Sequence, residues 1–393
     1  MNPYILTPEV QHYLREHQAA PPADVALRKS PFVTVSSMEL AQQLDARQRC
    51  RKKLPHWYET PAIYYPEKVS IEQASSEATA SYKMTLIPPG QRVIDVTGGM
   101  GVDAFFFART AQAVIHCETN QELSQIARYN ASQLGADNME FIISDGLACL
   151  KEQPADSFDC IYVDPSRRVA QRKVFRLEDC EPDVVGAQDW LLQKGKKNII
   201  KCAPLLDISA ALERLREVSE IHIISVDNEC KELLFVRTRG FDNVPQLVVV
   251  ALQNGSVATL TFGIATEKTA VAELGDPEKY LYEPDAALLK SGAFKFISQH
   301  YGIRKLHTHT HLYTSSQRIP GFIGKIYCVG NVIQYADFKK SKSPMQATIS
   351  ARNFPLKVDA LRQRHRIRDG GDEHLFFCTG KDGQLLVIFA SKC

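Results

Sequence analysis

Between residues 70 and 250 short apolar runs alternate with stretches of helical periodicity, and few folds accept that order. The candidate strands are 92–96, 113–118, 140–145, 159–164, 198–204, 221–226 and 232–238, and helical segments separate the first six. Strand–helix alternation of this kind builds a doubly wound α/β sheet, in which ligands bind outside the carboxyl ends of the strands. Only the five residues Asp227–Lys231 separate the last two strands. That connection is too short for a parallel crossover, so these two must pair antiparallel. The expectation is a Rossmann-like sheet of seven strands.

The flanks differ from this core. Residues 1–65 read as a helical N-terminal region, with a Thr7-Pro8 helix start, a serine cap before Met38 and a stop at Pro55. The α/β domain is expected over 66–265, followed by one or two small α+β domains. Asn254-Gly255 between two apolar runs signals a hairpin, and Lys381-Asp382-Gly383 marks another turn near the end.

Charge is uneven along the chain. The net charge is +2, but Tyr301–Cys393 carries +9 and the preceding part −7. An acidic body with a basic end suggests an acidic partner for the C-terminal region. The ten cysteines stand singly, with no Cys-x-x-Cys pair, which argues against a disulfide scaffold or zinc ribbon and favours a reducing cytoplasm. No apolar run approaches the ~18 residues of a membrane helix, and the N-terminus lacks the apolar core of a signal peptide.

The segment Arg92–Asp103 reads as a strand, a glycine-rich turn and a helix start. Glycines allow close backbone approach to a ligand, and a helix N-terminus favours polar or anionic groups. Gly99, Gly101 and Ala104 also satisfy a dinucleotide pattern. Two features argue against NAD. Asp95 ends the first strand, where a carboxylate suits the cationic amino group of a methionine and repels a pyrophosphate. Glu118, Asp145 and Asp164 then close the next three strands: the first is placed for ribose hydroxyls, the second for adenine. This series points to S-adenosylmethionine as cofactor, held by Asp95, Thr97, Gly98, Gly99, Gly101, Glu118, Thr119, Asp145, Gly146 and Asp164. Ser75, Ser76 and Thr79, one helix upstream, are candidates to cover it, although helix capping explains them nearly as well.

Asp164-Pro165-Ser166-Arg167-Arg168 follows the fourth strand. The proline stiffens the loop, Asp164 is the candidate acceptor for an amine hydrogen bond, and Arg167 and Arg168 are candidates to clamp a phosphate or stack on a base. No aromatic residue follows the proline to stack on a base. Cys202 raises thiolate chemistry at a pyrimidine C6, but no base or second cysteine accompanies it and a buried structural cysteine is the better reading. His307, His309 and His311 alternate without a local Cys or carboxylate, so no metal is expected. Two basic clusters are candidate phosphate contacts: Arg47, Arg49, Arg51, Lys52 and Lys53 beside Trp57, and Arg362, Arg364, Arg366 and Arg368.

The turn after the first strand resembles motif I of class I S-adenosylmethionine-dependent methyltransferases, in the variant with an extra Asp, here Asp103. DPSRR resembles their motif IV, without the aromatic residue that amino-methylating members carry after the proline. More widely, EQASSEATASYK, KCAPLLDI, NECKELL, YLYEPDAALLKSGAF, GNVIQYADFKKS and FPLKVDALRQRHRIRDGGDEHLFF resemble bacterial class I methyltransferases with a THUMP-like C-terminal domain, over most of 30–393. The resemblance implies a helical N-terminal region, a seven-stranded class I methyltransferase sheet, a small ferredoxin-like domain at 266–323 and a THUMP-like RNA-binding α+β domain at 324–393, with Asp103 helping to fix the cofactor, and methylation of structured RNA (tRNA or rRNA), with a purine exocyclic amine as favoured target. Alternatives are a non-catalytic RNA-binding or assembly factor on the same fold, and a small-molecule or protein methyltransferase.

Overall fold

The computed structural model describes residues 1–167, 177–340 and 345–393. The chain divides into two units, Met1–Glu220 with Leu233–Asn243, and Ile221–Glu232 with Val244–Cys393.

The first unit opens with the expected helices. Pro8–Glu16 has its proline in the first turn, where no backbone N–H is missed. Ser37–Lys53 starts at a complete capping box: the Ser36 hydroxyl accepts the Glu39 N–H at 3.2 Å, and the Glu39 carboxylate accepts the Ser36 N–H at 2.8 Å. These helices bury Val10, Leu14, Leu40 and Leu44 in one apolar cluster with Ile126 of the α/β layer. The basic run at the end of Ser37–Lys53 is largely occupied. Arg47 donates to the Tyr58 carbonyl, Arg49 pairs with Asp45 and Glu72, and Lys53 donates to the carbonyls of Ile71 and Glu72. Trp57 is buried, and Arg49, Arg51 and Lys52 of that run face solvent.

Strands β1 (Arg92–Asp95), β2 (Ala113–Glu118), β3 (Met139–Ile143), β4 (Phe158–Val163) and β5 (Gly195–Cys202) pair in parallel. Next come β6 (Val218–Val226) and β7 (Glu229–Thr238), and β7 runs antiparallel to β5 with Cys202 opposite Leu233. The hairpin β8 (Gln246–Gln253) and β9 (Ser256–Gly263) turns at Asn254-Gly255, both at positive φ, as a tight Asn-Gly turn requires. The sheet order is β9-β8-β6-β7-β5-β4-β1-β2-β3. The seven expected strands occupy it in the class I order, and β8 and β9 raise the count to nine. The sequence reading missed this addition because a hairpin's apolar pattern does not say which sheet edge it will join.

The second unit holds β10 (Tyr280–Pro284), β11 (Arg304–His307), β12 (Thr310–Ser315), β13 (Gly324–Gln334), β14 (Thr348–Arg352), β15 (Glu373–Thr379) and β16 (Leu385–Lys392). They form one sheet in the order β11-β12-β10-β13-β16-β15-β14. β10 pairs directly with β13, so strands from 266–323 and 324–393 share a sheet. Cys328 and Cys393 are disulfide-bonded, with Cα atoms 5.3 Å apart. The sequence reading, from cysteines placed singly, pointed away from a disulfide scaffold and did not foresee this bond. Distant in sequence, these two meet because β13 and β16 pair antiparallel with Cys328 opposite Ser391. Among the described residues no helix is long and apolar enough to cross a membrane.

One glycine sets how closely the layers meet. A Cβ on Gly146, at the start of the helix Gly146–Glu152, would lie 2.1 Å from the Val96 carbonyl oxygen. Both partners are backbone, so relief requires moving a helix off a strand end. Gly146→Ala is expected to lower unfolding stability by about 2 kcal/mol, read as a reduced urea midpoint.

Candidate active site

The site is built on the turn between β1 and the helix Val102–Ala108. Gly99 (φ 57°) and Gly101 (φ 80°) supply the left-handed conformations of the turn, and Gly101 caps the helix. A Cβ on Gly98 would meet the buried His116 ring at 2.5 Å and the Cys117 carbonyl oxygen at 2.6 Å. The turn therefore lies flat on β2, and only glycine fits there.

Around this turn the strand ends bring the expected carboxylates together. Asp95 is buried; its Oδ1 accepts from the Thr97 N–H at 3.0 Å and from the Thr97 hydroxyl at 3.1 Å. Thr97 Oγ1 in turn accepts the Asp164 N–H at 2.7 Å, which ties the glycine turn to the loop after β4. Glu118 accepts the Gly99 N–H at 2.8 Å through one oxygen and the Asn120 N–H at 2.7 Å through the other, with the Thr119 hydroxyl at 3.3 Å. Asp145 caps the helix Gly146–Glu152 through the Ala148 N–H at 2.8 Å and is exposed. Burial raises the Asp95 carboxyl to about 7, against hydrogen bonds from Thr97 that pull it down.

Asp103 stands apart from this rim. It accepts from the Ser75 hydroxyl at 2.7 Å and the Tyr162 hydroxyl at 2.8 Å, and pairs with Lys83 Nζ at 2.9 Å. Lys83 is fully buried and also donates to Ser75 Oγ at 2.6 Å. Burial pushes the Asp103 carboxyl up, but the ammonium groups of Lys83 and Lys201, with the hydrogen bonds from Lys83 and Ser75, outweigh it and hold the carboxyl below its usual range. Ser76 and Thr79 serve each other: Ser76 Oγ accepts the Thr79 N–H at 3.2 Å as the cap of Glu77–Met84.

Lys201, the penultimate residue of β5, donates to the Asp164 carboxylate and to Ser75 Oγ, the latter at 3.3 Å. Sequence reasoning passed over Lys201, Lys83 and Tyr162. Lys201 carried a usable signal, a basic residue at the carboxyl end of a parallel strand, whereas Lys83 and Tyr162 carried none. Pro165 and Ser166 follow Asp164, and Ser166–Arg167 pairs with Cys180–Glu181 as a two-residue ribbon. Nothing is described of the Arg167 side chain, and Arg168 lies outside the described residues. Cys202 is buried, and burial pushes its thiol well above the ordinary range, which opposes a thiolate role.

The four C-terminal arginines fan around a helix end. Arg362 lies in the last turn of Val358–His365 and pairs with Asp369 at 2.5 Å; Arg366 caps the helix at φ 54°; Arg364, Arg366 and Arg368 are exposed. Among the described residues no three His, Cys, Asp or Glu side chains group as a metal site needs.

A largely parallel sheet in this order, with a glycine turn after β1 and carboxylates closing β1 to β4, defines a class I methyltransferase. The comparisons with known proteins agree. A model of protein-L-isoaspartate(D-aspartate) O-methyltransferase matches residues 35–175, a ferredoxin-like domain matches 280–322, and a THUMP-like domain matches 324–392. The structure described as "putative methyltransferase from Porphyromonas gingivalis W83" is 31% identical over 99% of this chain and 98% of its own, with a TM-score of 0.88. The chain belongs to the family of that protein, methyltransferases with a THUMP-like domain. A 102-residue stretch is 35% identical to the 23S rRNA (uracil(1939)-C(5))-methyltransferase RlmD of Alkalilimnicola ehrlichii, 25% of this chain and 23% of that protein. SMU.1697c of Streptococcus mutans, solved in complex with SAH, is 14% identical, covering 41% of this chain and 94% of its own, at a TM-score of 0.31.

The Lys83–Asp103 pair is expected to behave as a buried ion pair. Lys83→Met alone should cost about 3–5 kcal/mol by leaving a buried charge uncompensated. Adding Asp103→Asn should recover part of that loss. Urea denaturation of the two single variants and the double variant measures the coupling.

Proposed function

We propose that this methyltransferase uses S-adenosylmethionine and acts on RNA, with the basic C-terminal region docking the substrate. The observation that carries the reading is the row of carboxylates Asp95, Glu118, Asp145 and Asp164 at successive strand ends, beside a glycine turn with no side chain in the way. This row suits a ligand with a cationic amine, a ribose diol and an adenine, and it would repel a pyrophosphate. Asp95 would hold the amine, Glu118 the ribose hydroxyls, and Asp145 the adenine edge. When bound, the cofactor supplies an electrophilic methyl group on a sulfonium. Asp164, fixed through its own N–H to Thr97, orients the acceptor toward that methyl, so that much of the catalysis is positioning. Exposed Arg364, Arg366 and Arg368 would neutralise phosphates. The likeness of a 102-residue stretch to an rRNA methyltransferase and the THUMP-like segment support RNA as substrate, and the cytoplasm as the place of action.

Three outcomes test this reading. Purified protein with tritiated S-adenosylmethionine should label RNA from a strain lacking the gene and leave wild-type RNA unlabelled. Asp164→Ala should abolish labelling while keeping RNA affinity, and Arg364→Glu with Arg366→Glu should weaken affinity and flatten its salt dependence. Labelling of protein or small-molecule acceptors alone would overturn the RNA reading.

Asp95 adds a pH signature. Its carboxyl, raised to about 7 in the free protein, must be ionised to pair with the methionine amine, so binding requires proton loss below that value. Cofactor affinity should fall on the order of tenfold from pH 8 to pH 6. Calorimetric titration should show no such dependence in Asp95→Asn.

A further inference from the structure

We propose that the atom methylated at this site is a hydroxyl oxygen, the ribose 2′-hydroxyl of the RNA, and that Lys201 is a catalytic residue for it. The inference rests on the reading of the chain as an RNA methyltransferase and names the acceptor of that same site. DPSRR resembled the loop of amino-methylating enzymes, but the side chain that faces Asp164 directs the chemistry elsewhere.

Lys201 places an ammonium on the Asp164 carboxylate. It is held there from behind by Ser75 Oγ at 3.3 Å, and Ser75 is itself fixed by Lys83 at 2.6 Å and Asp103 at 2.7 Å. The buried charge of Asp103 already has its own cation in Lys83, 2.9 Å away. The Lys201–Asp164 pair is not sealed in the core: the side chains are 13% and 35% exposed. A substrate presented to Asp164 therefore meets a carboxylate and an ammonium together.

The sign of the charge that develops on the acceptor separates the candidate acceptors. Methylating a base amine puts positive charge on nitrogen, and a neighbouring ammonium opposes it. Methylating a hydroxyl draws negative charge onto oxygen as its proton leaves, and the ammonium stabilises it. In the proposed step the hydroxyl oxygen bonds to the methyl carbon and the carbon–sulfur bond breaks, its electron pair remaining on sulfur. The hydroxyl proton passes to the Asp164 carboxylate and then to water. Lys201 stays protonated and hydrogen-bonds the acceptor oxygen.

Two further observations agree. Pro165 is followed by an exposed serine, Ser166; a ribose has no ring face that needs an aromatic partner. Pyrimidine C5 transfer needs a thiolate, and Cys202 is buried with its thiol raised.

Alkaline hydrolysis of enzyme-labelled RNA tests this on the wild-type protein, because a 2′-O-methyl group blocks cleavage of the adjoining phosphodiester. The expected result is label in alkali-resistant dinucleotides. Label in mononucleotides alone would overturn this inference and leave the RNA reading standing; no label in any RNA would overturn both. Lys201→Met should lower kcat about a hundredfold with KM for the cofactor unchanged, and Lys201→Arg should restore part of the rate; an unchanged kcat in Lys201→Met would remove Lys201 from the mechanism. Without cofactor, the RNA carrying a 2′-deoxy nucleotide at the mapped position should bind wild-type protein about fivefold more weakly. This weakening should be smaller for Lys201→Met, in which only the contact to Asp164 remains, and equal binding of both RNAs to wild type would overturn the contact.

Discussion

The buried ion pair between Lys83 and Asp103 is the interaction on which the site depends. Asp103 sits in the first turn of the helix that the glycine turn launches, where the helix dipole favours a carboxylate. Lys83 comes from the preceding helix Glu77–Met84, Ser75 from the loop before it, and Tyr162 from β4. Three side chains from outside its own helix converge on this one carboxylate. Such a pair adds little net stability against an apolar replacement, yet breaking it from one side is costly. Its consequence here is register: the glycine turn, the end of β4 and the segment before β1 cannot shift independently.

Lys201 extends that network to the surface. Through Ser75 it shares the anchor of the buried pair, and through Asp164 it reaches the rim. Thr97 closes the circuit from the other side, joining Asp95 to the Asp164 backbone. The two loops expected to carry the chemistry are thus linked twice, once through a hydroxyl and once through a cation. A site of this kind positions its groups before substrate arrives, which is where electrostatic catalysis gains most.

The roles that residue type suggested sort by whether local geometry or long-range packing governs them. Asp95, Glu118, Asp145 and Asp164 were legible because a parallel sheet presents its strand ends at one edge, so a carboxylate closing each strand declares its place from sequence alone. Gly98 and Gly146 were expected among the residues that hold the cofactor. Only the packing shows why they are glycine, with His116 beneath one and the Val96 carbonyl against the other. Ser76 and Thr79 turned out to be a helix cap. Arg47, Arg49 and Lys53 form internal contacts, which composition cannot distinguish from an open basic face.

By itself the sequence determined the alternation of strands and helices, the antiparallel close of the first sheet, the Asn-Gly turn at 254–255 and the carboxylates at the strand ends. All of these follow from periodicity and turn chemistry acting over a few residues. Tertiary structure alone decided that β8 and β9 enlarge the sheet, that β10 and β13 share the second one, and that Cys328 meets Cys393. It alone decided that Lys83 lies buried against Asp103 and that Lys201 faces Asp164. The physical reason is the same throughout. A lysine's role depends on which carboxylate lies within hydrogen-bond reach of its ammonium, and a strand's partner on which edge is left open. Both are set by contacts between residues far apart in the chain.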